Sequence, residues 1–228
     1  MRLFVTGTDT GVGKTMVAAA LLHKCRERGW ATVGMKPVAA GCDDVDALIA
    51  AGNMVPDRQL VNPYFFNAAI APHIAAEEAG VEIDLARIAD CYRQLSASAE
   101  AVIVEGAGGF LVPLAAERDS GDLARLLGLP LVLVVGMRLG CINHALLTQE
   151  AIKSRCLTLA GWVANCVTPG MERFEANLAA LRQRLAAPLL GVVPFLESPD
   201  PVAAADYLML PDEDPKGRSQ STLEIAQT

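Results

Sequence analysis

Short apolar runs rich in branched residues alternate along the chain with segments whose apolar positions recur at helical spacing. The runs Leu3 to Thr6, Thr32 to Lys36, Ala101 to Glu105, Leu131 to Gly136, Leu159 to Asn165 and Leu189 to Pro194 read as strands. Between them, Leu85, Ile88, Tyr92 and Leu95 share one helical face, as do Phe174, Leu178, Leu181 and Leu185. Continuous apolar strands separated by amphipathic helices predict a mostly parallel sheet covered on both faces, an α/β fold. Crossovers of one hand then bring the carboxyl ends of all the strands to one edge, where ligand chemistry collects.

Length and composition fit this picture. A chain of 228 residues, 52% hydrophobic and 20% charged, has enough apolar mass for one large core, and a single domain over residues 1–210 is expected. The residues from 211 to 228 are polar, lack a periodic apolar face and read as a loose tail. The longest apolar run, Leu129 to Met137, is too short to cross a bilayer. The N-terminus enters a glycine-rich loop without a signal-type hydrophobic stretch, so a cytoplasmic location is expected.

Charge and cysteines exclude further classes. A net charge of −7 argues against a nucleic-acid surface, so any phosphate bound here needs a local positive field. Six cysteines occur without a C-x-x-C pair and read as reduced thiols. His23, His73 and His144 belong to no catalytic or metal-type grouping.

The first strand runs directly into GTDTGVGKT, Gly7 to Thr15, and then into a helical stretch. A phosphate cradle needs successive backbone N–H groups pointing inward at a helix N-terminus, which Gly7, Gly11 and Gly13 permit. Lys14 is placed to neutralise the β and γ phosphates, and the Thr15 hydroxyl to ligate Mg²⁺. The spacing departs from the common phosphate-loop pattern: Thr8 stands where a glycine is usual, so the loop is one residue longer between Gly7 and Gly13. The fold class is therefore that of a P-loop NTPase.

A metal-bound phosphate also calls for an acid. Glu105 ends the apolar run AVIVE ahead of Gly106, Ala107 and Gly108, at the ligand edge. Asp43, Asp44 and Asp46 form an acidic cluster in which spacing alone selects no member. Lys36 ends the second strand in KPVAAG and points to the same edge as Lys14; a lone lysine there is more often a surface residue than a catalyst.

Together these runs resemble the dethiobiotin synthetase family: GTDTGVGKT (7–15), KPVAAG (36–41), NPYFF (62–66), APH (71–73), EGAGG (105–109), LGCINHALLT (139–148), GWVAN (161–165) and PLLGVVPF (188–195). The resemblance covers residues 2–200. It implies a homodimer that converts 7,8-diaminononanoate, CO₂ and Mg·ATP to dethiobiotin, ADP and phosphate through a carbamate phosphate. It gives catalytic roles to Lys36 and Lys14, and Mg²⁺ ligation to Thr15, Asp46 and Glu105, with Asp46 chosen because DAL at 46–48 aligns with the family's DAL. Gly11, Val12, Gly13, Lys14, Thr15, Met16, Glu105, Gly106, Ala107 and Gly108 would line the phosphates, while Asn165, Cys166, Pro194, Phe195, Leu196 and Asp200 would hold adenine and ribose. Lys36, Ala40 and the run Gly140, Cys141, Ile142 and Asn143 would bind the substrate, the latter through N–H groups at a helix N-terminus that take the carboxylate of a neighbouring subunit's substrate. Gly11 and Ala40 depart from the family pattern, standing where some members carry glutamate and many carry serine.

Two rival readings remain. An amide ligase related to the cobyrinic acid amidases shares the loop, but that class adds a glutaminase domain for which no residues are left. A regulatory ATPase of the partitioning type generally carries a further lysine early in the loop, where this chain has Thr8, Asp9 and Thr10.

Overall fold

The computed structural model describes residues 1–41 and 44–211, so Asp43 and nearly all of the expected tail lie outside the described residues. The chain opens with strand β1 (Arg2–Gly7), helix α1 (Lys14–Glu27), β2 (Thr32–Met35) and β3 (Val38–Ala40). Helices α2 (Asp44–Ala51) and α3 (Arg58–Val61) lead to β4 (Tyr64–Phe66), α4 (Pro72–Glu78), α5 (Leu85–Ser98) and β5 (Ala101–Glu105). A hairpin of β6 (Pro113–Ala115) and β7 (Arg118–Asp119) precedes α6 (Ser120–Leu127), β8 (Leu131–Gly136) and α7 (Cys141–Ser154). The chain continues through β9 (Leu159–Asn165), α8 (Phe174–Arg184), β10 (Leu189–Val193) and α9 (Pro201–Ala205).

Six strands form one parallel sheet in the order β10-β9-β8-β1-β5-β2. Both faces are covered, which is why the strand sequences are apolar at consecutive positions. Leu3 and Val5 pack with α1, α2 and α9 on one face, together with Ile103 and Val134 of neighbouring strands. Phe4, Val102 and Val104 pack with α5 and α6 on the other, and Leu133 and Trp162 with α7 and α8. Among the described residues no helix is long and apolar enough to cross a membrane.

All six expected strands are present, with ends shifted by a residue at most. Lys36 lies one position beyond β2: its N–H donates to Val61 O at 2.9 Å instead of continuing the sheet, and Pro37 follows. The pairs β3–β4 and β6–β7 were not expected; at two or three residues each they carry no readable period.

Close backbone approach ties the C-terminal segment to the sheet edge. A Cβ at Gly191 would stand 1.9 Å from Tyr207 O, and Gly191 bridges Leu208. Backbone cannot retreat as a side chain can, so Gly191→Ala is expected to destabilise the fold by about 2–3 kcal/mol and to lower Tm by about 5–10 °C. Thermal unfolding of the variant checks this, and an unchanged Tm refutes the contact.

Candidate active site

The loop after β1 is built to hold an anion. Gly13 caps α1 in the left-handed region at φ 87°, with no side-chain cap. A Cβ there would lie 2.2 Å from Asn165 Nδ2, which itself donates to Val12 O at 2.8 Å. Only glycine satisfies both the dihedral and the space. The N–H groups of Gly11, Val12, Gly13, Lys14, Thr15 and Met16 meet no protein acceptor among the described residues, so the helix N-terminus offers a run of open donors.

Around this loop the strand ends bring four charges together. Lys36 Nζ lies 2.5 Å from Glu105 Oε1 and 3.1 Å from Asp44 Oδ2, with Gly106 O at 3.4 Å. Thr15 Oγ1 donates to the same Glu105 Oε1 at 2.9 Å. Lys14 Nζ donates to Asp9 O at 2.8 Å. Lys14, Lys36 and Glu105 are 6%, 4% and 1% exposed, so their charges meet largely out of water.

The two lysines differ in state. Burial and the neighbouring Lys36 cation lower Lys14 to about 8, although Glu105, Asp44 and Asp9 oppose them. Burial also disfavours the charge on Lys36, but Glu105 and Asp44 more than reverse it and its pKa is raised. Lys36 is thus a satisfied cation, and Lys14 a cation short of negative partners.

These groups line an open cleft of about 810 Å³. Lys14, Thr15, Lys36, Asp44 and Glu105 supply its charge, and the remaining wall is largely apolar, including Ile70, Pro72, Leu111 and Val112. Gly11, Gly13, Ala40, Ala107 and Gly108 also reach it. A second hollow of about 860 Å³ lies between residues 82–85 and 115–126, apart from the loop. Volume does not separate the two. Chemistry does, because in the second hollow Asp122 is already paired with Arg125 and Arg155 at 3.0 Å each.

The structure places Asp46 apart from the Lys36–Glu105 pair. It lies on α2 two positions beyond Asp44, its side chain is 62% exposed, and its carboxylate pairs with Arg58. Burial of Val45 and Leu48 fixes the rotation of α2 and turns Asp44, not Asp46, toward Lys36.

The other expected residues divide between two places. Asn165, 3% exposed, ends β9 with its Oδ1 buried and unpartnered, and Cys166 N donates to Val193 O at 2.9 Å. Pro194, Phe195 and Leu196 follow β10, and Asp200 caps α9 by accepting from Val202 N and Ala203 N. Gly140, at φ 95°, caps α7, where Cys141 N already donates to Arg138 O at 3.0 Å. The N–H groups of Gly140, Ile142 and Asn143 meet no protein acceptor among the described residues. None of the four residues from Gly140 to Asn143 lines the cleft of its own chain.

Two contributors carried no signal of their own in the sequence. Asp9 Oδ2 accepts from Arg138 Nη2 at 2.5 Å, a pair separated by 129 positions, and Asp9 Oδ1 accepts from Thr10 N at 2.7 Å.

The fold and the loop define the class: a P-loop NTPase-type α/β protein. Its fold is shared with MinD of Aquifex aeolicus, at a TM-score of 0.55 and 17% identity over 90% of this chain and 85% of that one. MinD of Pyrococcus horikoshii, solved with Mg-ADP, gives 0.51 and 18% over 90% and 86%. The family model described as an AAA domain matches residues 1–203. Sequence relatives narrow the class. Proteins named ATP-dependent dethiobiotin synthetase BioD match at 55% identity in Aromatoleum aromaticum (91% of this chain, 96% of that one) and 54% in Janthinobacterium sp. (90% and 92%). A third, from Pseudomonas paraeruginosa, matches at 53% (91% and 95%). The chain belongs to the dethiobiotin synthetase family.

If Gly13 forms the cradle, Gly13→Ala should weaken nucleotide binding by about tenfold or more, since a strained backbone and a displaced Asn165 cost about 1–3 kcal/mol. A nucleotide titration checks this alongside circular dichroism, and wild-type affinity in a folded variant would place the phosphates elsewhere.

Proposed function

We propose that the chain is an ATP-dependent dethiobiotin synthetase, a ligase that carboxylates 7,8-diaminononanoate with CO₂ and closes the ureido ring in biotin synthesis. The observation that carries this reading is the convergence of two buried lysines and an anion-ready loop on a cleft whose remaining wall is apolar. Such a cleft suits a reaction between phosphates and a small carboxylated amine on an aliphatic chain.

The residues divide the chemistry. Open N–H groups from Gly11 to Met16 hold the β and γ phosphates with Lys14, aided by Ala107 and Gly108 across the cleft. Lys36 steadies the carbamate made from one substrate amine and CO₂, and then the phosphoryl group that the carbamate oxygen accepts from ATP as ADP leaves. The second amine attacks the carbamate carbon, the carbon–oxygen bond to phosphate breaks, and phosphate departs as the ring closes. The apolar wall lies against the alkyl chain and keeps water from the activated carbamate.

The donor set fits Mg²⁺. Thr15, Asp44 and Glu105 offer hard oxygen donors, and Mg²⁺ takes the rest of its shell from phosphate and water. Thr15 and Glu105 would hold it with Asp44, and it would neutralise phosphate oxygens there. The buried, unpartnered Asn165 Oδ1 suits the exocyclic amine of adenine, with Cys166 and Pro194 to Leu196 beside it and Asp200 nearer the ribose. The open donors at Gly140, Ile142 and Asn143 lie off their own cleft, which supports a homodimer in which each α7 takes the carboxylate of the other subunit's substrate.

The defining experiment measures ADP release with and without 7,8-diaminononanoate and bicarbonate, with the product identified by mass. Diamine-dependent release and a product of dethiobiotin's mass are expected; hydrolysis indifferent to the diamine sinks the assignment. Lys36→Gln should lower kcat by about 10²–10³-fold, and near-normal turnover removes it from this role. Asp44→Asn should raise the Mg²⁺ requirement more than Asp46→Asn. The reverse ranking would return that role to Asp46.

A further inference from the structure

Beside Glu105 lies a small hollow walled by Phe4, Leu114 and Leu123 and edged by Gly106 and Ser120, which shares Glu105 and Ala107 with the wall of the cleft. It leaves about 10 Å³ in which the centre of a water-sized sphere can sit. That is about the room that one water molecule needs.

Glu105 is 1% exposed, and its two oxygens are treated differently. Oε1 accepts from Thr15 and Lys36 on the cleft side. Oε2 is buried with no hydrogen-bond partner. A buried carboxylate oxygen with neither a donor nor a cation is strongly unfavourable, so in the ligand-free protein a donor has to reach it. Among the described residues, the hollow beside Ser120 is a candidate position from which to do so. Ser120 borders the same cavity; its hydroxyl donates to Val112 O at 3.2 Å, which leaves the Ser120 oxygen free to accept. Dry cavities in proteins are apolar, and one edged by Glu105 and Ser120 is not wholly so.

We propose that this cavity is a binding site for one internal water, which donates one hydrogen to Glu105 Oε2 and the other to Ser120 Oγ. The hydrogen count closes: two donors meet two acceptors, and the apolar remainder of the wall asks for none. The water acts as a strut. It holds Oε2 toward the hollow and so keeps Oε1 toward Lys36 and Thr15, which makes Ser120 a positioning residue acting through the water. That functional consequence rests on the role proposed for Glu105; the water itself does not.

The direct test is a crystal structure of the ligand-free chain at a resolution that shows ordered water. One peak within hydrogen-bond distance of both Glu105 Oε2 and Ser120 Oγ is expected. An empty cavity, an Oε2 turned to a protein donor, or a peak with several short contacts typical of a cation overturns the proposal. In Ser120→Val, which removes the acceptor and fills the space, the peak should vanish and kcat fall about tenfold with KM for ATP held within about twofold. Ser120→Thr should recover much of the loss. Loss of the peak at unchanged kcat refutes the strut. Should Ser120→Val not fold, Ser120→Ala makes the same comparison without added volume. A chain that shows the water but lacks diamine-dependent turnover would refute the assigned reaction and leave the water site standing.

Discussion

The pairing of Lys36 with Glu105 is the interaction on which the rest of the site depends, and the sheet creates it. Strands β2 and β5 are parallel neighbours in which Met35 stands opposite Val104, so the next residue on each chain, Lys36 and Glu105, meet as the sheet ends. Taking two charges from water is costly, and the cost is met only when partner and geometry are both fixed. Here the register fixes the partner, Pro37 turns the chain after Lys36, and Thr15 contributes a further hydrogen bond from the first turn of α1. Removing one member would leave the other buried and uncompensated, a loss of about 3–5 kcal/mol in comparable pairs. The pair is therefore both a structural joint between two strands and the floor of the cleft.

How much of this could be read from sequence follows from the range of each interaction. The strands are legible because two-sided burial makes Val132 to Val135 apolar at every position. The phosphate loop is legible because its demands are local: a strand, glycines at the turn, then Lys14 and Thr15 in one stretch. Lys36 and Glu105 could be placed at the ligand edge one by one, since each follows or ends an apolar run. Their mutual contact needed the neighbour relation of β2 and β5, which no local pattern carries.

The acidic cluster shows the opposite case. Asp44 and Asp46 differ in placement through the rotation of the helix that they start, and Val45 and Leu48 settle that rotation by burial. Matching the string DAL selects Asp46, but the packed helix presents Asp44 to Lys36. Likewise nothing adjacent to Asp9 announces Arg138, because the partners approach only once β1 and β8 pair side by side. The short strands β3 and β4 escape notice for a related reason: three residues in register make a sheet only in the presence of a partner far along the chain.

The contrast between the two lysines suggests how an empty site of this kind avoids collapse and still favours its ligand. Lys36 has its counter-charges in place and gains little from an arriving anion. Lys14 is buried beside another cation, with its pKa lowered to about 8 and its ammonium resting on the neutral carbonyl of Asp9. A phosphate in the loop would relieve that deficit, so the favourable change on binding falls on Lys14 and on the open N–H groups around it. Lys36, already fixed in direction by Glu105 and Asp44, would in the proposed reaction be available for charge that develops later instead of being consumed in holding the nucleotide. In the proposed reaction, segregating the lysines in this way, one short of charge and one supplied with it, would let a single cleft separate nucleotide capture from stabilisation of the transferred group.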